Sequence, residues 1–254
     1  MDLAIDIANR MQSDLRLVYV KSEGENEAPV REEIERRNAG VAHLLDGITM
    51  DYSIREGKVY HELCLEAKEC GAEMLVVGSH DMAGFKKNWV GRTTYRTITE
   101  SEVPVLTVND GFVYDKTFHK ILIPIDSSAD TRQKVPMAVQ MAKLFDAEVN
   151  VLGLYTSTNK DIRSIVNGYV RMVDGFLTKN EIRHTLRLLS VPKNLAVTTL
   201  KHAEKVKADM IIIMTEQEST LNSFLKGTYA QQMLNMAKIP ILTVRPEMIN
   251  NMAK

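Results

Sequence analysis

A short apolar run, Lys120-Ile121-Leu122-Ile123-Pro124-Ile125, ends in Asp126-Ser127-Ser128, which places one carboxylate and two hydroxyls in a single turn. Adjacent acid and hydroxyl groups do not make a nucleophilic triad, because the base has to come from elsewhere in space. They can, however, hydrogen-bond a polar ligand. A second set of segments offers complementary chemistry. Gly78-Ser79-His80-Asp81 and Met214-Thr215-Glu216-Gln217 each close an apolar run, and Gly91-Arg92-Thr93 and Gly227-Thr228 follow at the expected start of a helix. A helix start of this kind presents free backbone N–H groups, a hydroxyl and the positive end of the helix dipole to an anion. The same residues also serve as an ordinary helix start after a tight turn. The candidate ligand-binding residues are therefore Pro124, Asp126, Ser127, Met214, Gly227 and Thr228, with Gly78, Gly91 and Thr93 in a parallel set.

Other chemistry-bearing residues carry less. Of the six histidines, His80 alone stands at a strand end, it has no obvious nucleophile partner, and no pair has ligand spacing on one helix face. Cys64 and Cys70 lie six apart on different faces of an expected helix, so they read as buried thiols of a reducing compartment and not as a metal site. Phe85-Lys86-Lys87-Asn88-Trp89 could stack a base beside positive charge. One aromatic in a chain of formal net charge -1 is poor support, and no nucleic-acid partner is expected. Apolar runs such as Met210–Met214 are too short to cross a bilayer. The start, Met1-Asp2-Leu3-Ala4-Ile5-Asp6, carries two acids and no basic region, unlike a secretory signal. A cytoplasmic protein with no membrane partner and no catalytic or metal-binding residue is expected.

The elements that must position these residues repeat. Met74–Val108 aligns without a gap on Met210–Val244, so that Gly91 falls on Gly227, Pro104 on Pro240 and Leu106-Thr107-Val108 on Leu242-Thr243-Val244. Upstream, Ala67 meets Ala203 and Ala72 meets Ala208; further back, the stripe Ala4, Ile7, Ala8, Met11 lands on Ala138, Met141, Ala142, Phe145. A duplicated domain follows, covering 1–110 and 118–246, and 254 residues are enough for two separate cores.

The second copy reads as strands at Lys120–Asp126, 148–154, 183–189, Met210–Met214 and Pro240–Val244, alternating with helices at 132–145, 159–179, 194–207 and 226–237. Short Ile/Val/Leu runs between amphipathic helices specify a doubly wound parallel sheet, because the crossover helices cover both faces. Ligands in such sheets sit beyond the carboxyl ends of the strands where the winding reverses, which is where the candidate residues fall. The first copy opens directly on a helix at about Asp2, so it lacks a counterpart of Lys120–Asp126. A four-stranded sheet is expected there, unless another segment fills the slot, and a five-stranded one in the second copy, with truncation upstream as the expected cause. The closing strands 103–108 and 239–244 read as apolar edges that pair with each other or with a second chain.

These features resemble the universal stress protein family over nearly the whole chain, in two copies. The resemblance rests on Pro124-Ile125-Asp126 closing the first strand, on the glycine positions after the fourth strand and at the last helix, and on Val103-Pro104-Val105-Leu106-Thr107-Val108 and Ile239-Pro240-Ile241-Leu242-Thr243-Val244. It implies that members with the full motif bind ATP, the acid facing adenosine and the glycines and Ser/Thr holding phosphate. Neither copy keeps the full motif. Asp81 replaces a glycine in the first copy, and Arg92 stands where Ser or Thr is usual, with Thr93 one residue late. Met214 and Gln217 replace two glycines in the second copy, and Glu216 and Glu218 add negative charge. A glycine there lets backbone approach phosphate, and a methionine side chain fills that room.

The resemblance implies a non-enzymatic stress-response protein with partial or vestigial adenine-nucleotide binding, in which ATP is at most a weak ligand and self-association runs through the closing strands. Two alternatives stay open. One is a nucleotide-hydrolysing enzyme of the same broad fold, which would need a glycine-rich phosphate loop where Asp126-Ser127-Ser128-Ala129-Asp130 has none. The other is a nucleotide-independent interaction module.

Overall fold

The computed structural model describes residues 1–79, 91–109, 111–115, 117–155, 160–191, 194–215 and 228–246. The chain divides into two compact units, Met1–Glu73 with Val113–Lys116, and Met74–Phe112 with Thr117–Lys254.

The smaller unit holds α1 (Asp2–Met11), β1 (Leu15–Lys21), α2 (Glu27–Val41), β2 (Met50–Glu56) and α3 (Val59–Glu69). Strands β1 and β2 form a parallel pair, from Leu15 opposite Met50 to Lys21 opposite Glu56. Helix α1 buries Leu3, Ile5, Ile7 and Ala8, which includes two positions of the expected stripe. The link between α3 and the strands is polar. Glu66, 5% exposed, accepts hydrogen bonds from Arg16 (3.0 Å), Ser53 (2.9 Å) and Arg55. A buried carboxylate needs such partners, because its lost hydration is otherwise uncompensated.

The larger unit holds β3 (Leu75–Gly78), α4 (Arg92–Glu100), β4 (Val105–Val108), β5 (Lys120–Ile125), α5 (Val135–Phe145), β6 (Glu148–Tyr155), α6 (Lys160–Lys179), β7 (His184–Ser190), α7 (Leu195–Val206), β8 (Met210–Met214), α8 (Tyr229–Met236) and β9 (Ile241–Val244). Its single sheet has the order β3-β4-β9-β8-β5-β6-β7. Neighbours run parallel except β4 and β9, which are antiparallel. Ile121, Leu122, Ile123, Ile211, Ile212 and Ile213 are fully buried, as strands covered on both faces require. Gly153 of β6 permits close packing: a Cβ there would lie 2.5 Å from Leu188 Cδ2 and 2.9 Å from Val170 Cγ2 of α6.

The second copy has the expected five parallel strands, and its elements fall within a few residues of their expected bounds. The first copy does not form the expected four-stranded sheet. Its β1–β2 pair stands as a sheet of its own, and β3–β4 joins the sheet of the second copy. The physical reason lies in the repeat. In the second copy β5 pairs with both β8 and β6 and so bridges the two halves. Among the described residues the first copy has no such strand, so nothing in it joins β1 to β3.

The closing strands pair with each other inside the chain, Val105 opposite Thr243, Leu106 opposite Leu242 and Thr107 opposite Ile241. Each has a second neighbour, so neither is an edge. Thr243 Oγ1 adds a 3.0 Å bond to the Val105 carbonyl. The thiols also depart from expectation. Cys70 is exposed and Cys64 half-buried, because Cys70 stands at the C-terminal cap of α3, outside its packed face. No described helix is long and apolar enough to cross a membrane.

Candidate functional site

In the second copy, β5 leads to β6 and β7 on one side, while β8 and β9 lie on the other. The winding therefore reverses between β5 and β8, where an open α/β sheet leaves a crevice at the strands' carboxyl ends. The ladder shows this opening. Strand β5 pairs with β6 as far as Ile125, but with β8 only at Ile121 and Leu122. Pro124 is the local cause. The Glu148 N–H bonds to the His119 carbonyl at 2.8 Å, so odd-numbered residues of β5 bond toward β6 and even-numbered ones toward β8. The donor that Pro124 lacks is thus on the β8 side.

Beyond Pro124 the chain turns sharply and is held by its own side chains. The Ser128 N–H and hydroxyl both donate to Asp126 Oδ1, at 2.8 and 2.6 Å. The Asp126 N–H donates to Thr131 Oγ1 at 3.0 Å. Thr131 is 2% exposed, and its carbonyl receives a 2.5 Å bond from Lys134 Nζ, with Oγ1 3.4 Å from the same ammonium. Lys134 is also 2% exposed. Burial pulls its pKa down to about 8, and the Asp126 carboxylate works the other way. Asp126 itself is half-buried and Ser127 is exposed. Asp126 Oδ2 has no hydrogen-bond partner among the described residues.

Met214, half-buried, ends β8 on the other side of the crevice. The next residue, Thr215, donates its N–H to the Val244 carbonyl at 2.9 Å. Its counterpart Ser79 does the same to Val108 at 2.9 Å, so both copies leave the fourth strand along the same path. Gly227, like Glu216, Gln217 and Glu218, lies outside the described residues. Thr228 is placed, and it caps α8: its Oγ1 accepts the Gln231 N–H at 3.2 Å and lies 3.2 Å from the hydroxyl of Tyr95 in α4. The hydroxyl expected to meet an anion is already engaged with its own helix. Asn194 caps α7 in the same way and donates to Gln232 Oε1 at 2.7 Å, which ties the first turns of α7 and α8 together.

In the first copy, Gly78 ends β3, and its carbonyl accepts from Thr94 Oγ1 at 3.1 Å. The Gly91 N–H donates to the Ser79 carbonyl at 3.1 Å. Gly91 caps α4 without a side-chain bond, and the Thr93 carbonyl accepts from Thr97 Oγ1. His80, Asp81 and the Phe85–Trp89 segment lie outside the described residues. No described residue of the first copy supplies the acid that Asp126 supplies in the second.

The profile of the Universal stress protein family matches this sequence twice, over residues 1–109 and 117–245. The chain belongs to the universal stress protein family. It is a tandem member, as the repeat requires. A universal stress protein of Methanocaldococcus jannaschii is 27% identical over 146 residues, covering 52% of this chain and 84% of that protein. A universal stress protein of Archaeoglobus fulgidus has a solved structure that superposes with a TM-score of 0.71 at 14% identity, over 96% of this chain and 91% of its own. A functionally unknown protein of Pseudomonas aeruginosa gives 0.71 at 16%, over 98% and 88%. These likenesses establish the Rossmann-like α/β fold of both domains.

Sequence reasoning found the strand ends but missed Thr131, Lys134 and Tyr95. Lys134 left one signal, a charged residue at the start of an otherwise apolar helix face. Tyr95 left none, because its contact with Thr228 depends on two copies meeting through β4 and β9. Among the described residues no group of three or more His, Cys, Asp or Glu is placed to hold a metal ion.

Proposed function

We propose that this universal stress protein is a non-enzymatic stress-response protein of the cytoplasm, with domains at 1–110 and 118–246. Its second domain takes an adenine nucleotide by the nucleoside end. ATP is a weak ligand, because the phosphate side of the site is degraded. The observation that carries this reading is Asp126, held by Ser128 and Thr131 with Oδ2 unpartnered among the described residues, where β5 parts from β8 at Pro124.

Two further features support the weakness toward phosphate. Thr228 Oγ1 already accepts from the Gln231 N–H, so the α8 N-terminus has one donor fewer for an anion. Met214 occupies a position where glycine would let backbone approach phosphate. No glycine stands in 126–130 to form a hydrolase-type phosphate loop. The pairing of β4 with β9 supports a pseudo-dimer within one chain in place of self-association between chains through these strands.

Saturation-transfer NMR with adenosine tests the reading. Transfer to the wild type and its loss in Asp126→Ala are expected. Equal transfer to both proteins would place adenosine elsewhere and remove Asp126 from the site.

A further inference from the structure

Lys134 is an anomaly of composition and place. It is 2% exposed at the N-terminal cap of α5, and among the described residues it makes no ion pair. Lysine is almost never buried to this degree without a partner, because losing its hydration is costly. The shift of its pKa to about 8 has burial as its first cause, so the ammonium is still largely protonated at neutral pH and folding bears the cost of burying it. An unbranched apolar side chain would fill similar volume without that cost. The geometry shows what the ammonium does there. Its Nζ grips the Thr131 carbonyl at 2.5 Å, Thr131 Oγ1 receives the Asp126 N–H at 3.0 Å, and Asp126 Oδ1 receives Ser128 twice. The chain of contacts ends at Asp126, whose Oδ2 has no partner among the described residues.

We infer that Lys134 is a positioning residue for the nucleoside-binding corner, its buried ammonium fixing Thr131 and through Thr131 the orientation of Asp126. This inference rests on the nucleoside reading of Asp126 given above. Lys134 does not touch the ligand. It sets how long the Asp126 loop spends in the binding geometry, and a less ordered loop lowers affinity by the fraction of time it is misplaced.

The test uses Lys134→Met with two readouts: amide hydrogen exchange at Asp126 and Ser128 without ligand, and calorimetric titration with adenosine. The variant is expected to fold with a higher thermal midpoint, to exchange the Asp126 amide about tenfold faster and to bind adenosine about threefold to tenfold more weakly. Lys134→Gln, whose amide can still donate to the Thr131 carbonyl, is expected to restore much of both. Unchanged exchange and unchanged affinity in Lys134→Met would overturn the inference and leave Lys134 a purely structural burden. If the wild type does not take adenosine, the nucleoside reading falls, and the exchange readout alone decides: faster exchange upholds the positioning role, unchanged exchange removes it. Should Lys134→Met not fold, Thr131→Val reads the same chain one link on. Faster Asp126 exchange there supports the chain, and unchanged exchange overturns it.

Discussion

The hydroxyl of Tyr95, on α4 of the first copy, lies 3.2 Å from Oγ1 of Thr228, the residue that caps α8 of the second. Two helix N-termini that the repeat makes equivalent are thereby joined, and the pairing of β4 with β9 brings them together. Thr228→Ala should cost about 1 kcal/mol through loss of the cap. Tyr95→Phe should cost about 0.5–1 kcal/mol. If the two hydroxyls share one bond, urea unfolding of the double variant will show less than the sum of the two losses. Strict additivity would mean that the contact contributes nothing.

Lys134 sets a stability change at alkaline pH. Its pKa falls from the ordinary 10.5 to about 8 on folding. Below about pH 8 it is protonated folded and unfolded, and the folded state carries the full cost of the buried charge. Between about 8 and 10.5 the folded protein sheds this proton first, so the Lys134 contribution makes stability rise with pH across that window, by on the order of 3 kcal/mol. The difference between wild type and Lys134→Met isolates the effect. The variant should be the more stable at neutral pH, and the gap should close toward pH 10.5. A gap independent of pH would show that Lys134 is not the titrating group.

His184 acts in the opposite sense. Burial works to lower its pKa, but the Ile182 carbonyl at Nδ1 (2.7 Å) and the Asp174 carboxylate at Nε2 (2.8 Å) outweigh it and raise the value above 6.5. Both ring nitrogens face acceptors, which favours the doubly protonated ring. The stability it contributes is complete below about pH 6.5 and disappears as pH rises through the folded-state value. His184→Gln should therefore be more destabilising in acid than in mild alkali, measured by thermal melts at several pH values. Equal loss at every pH would rule out an ionic role.

In the smaller unit, Glu66 stands where an apolar residue would be ordinary. Burial pushes its carboxyl up, but Arg55, Arg16 and Ser53 hold it below the usual range. Its contribution is present above about pH 4.5 and is lost as pH falls through the lower folded-state value. Glu66→Gln should cost about 2–3 kcal/mol, since it removes charged hydrogen bonds while Arg16 keeps Asp51 and Arg55 keeps Glu62 and Glu69. Amide exchange in β1 and β2 should quicken. Unchanged exchange would mean that α3 is held by other contacts.

Much of the fold was legible because strands buried on both faces leave unbroken apolar runs. Ile121–Ile125 and Met210–Met214 could hardly be read as anything else, and Pro104 and Pro240 marked the closing strands. The candidate corner was legible only as a list of strand ends. Asp126 and Pro124 are adjacent in sequence, so their chemistry was visible at once. The role of Thr228 was not, because a helix cap and an anion ligand call for the same residue and only the 3.2 Å bond to Gln231 separates them. The splitting of the first copy escaped for a different reason. The sequence before α1 offers no counterpart of β5, but the consequence depends on β5 being the strand that links two halves of a sheet.

Calorimetry with adenosine, ADP and ATP at one salt concentration tests the central claim, that the Asp126 corner holds a nucleoside while the altered loop does not cradle phosphate. Adenosine should bind weakly and ATP no more tightly, since the negative charge of Glu216 and Glu218 disfavours a triphosphate. No hydrolysis should follow on prolonged incubation. ATP binding at least about tenfold tighter than adenosine, equivalent to about 1.4 kcal/mol gained from phosphate, would contradict the account.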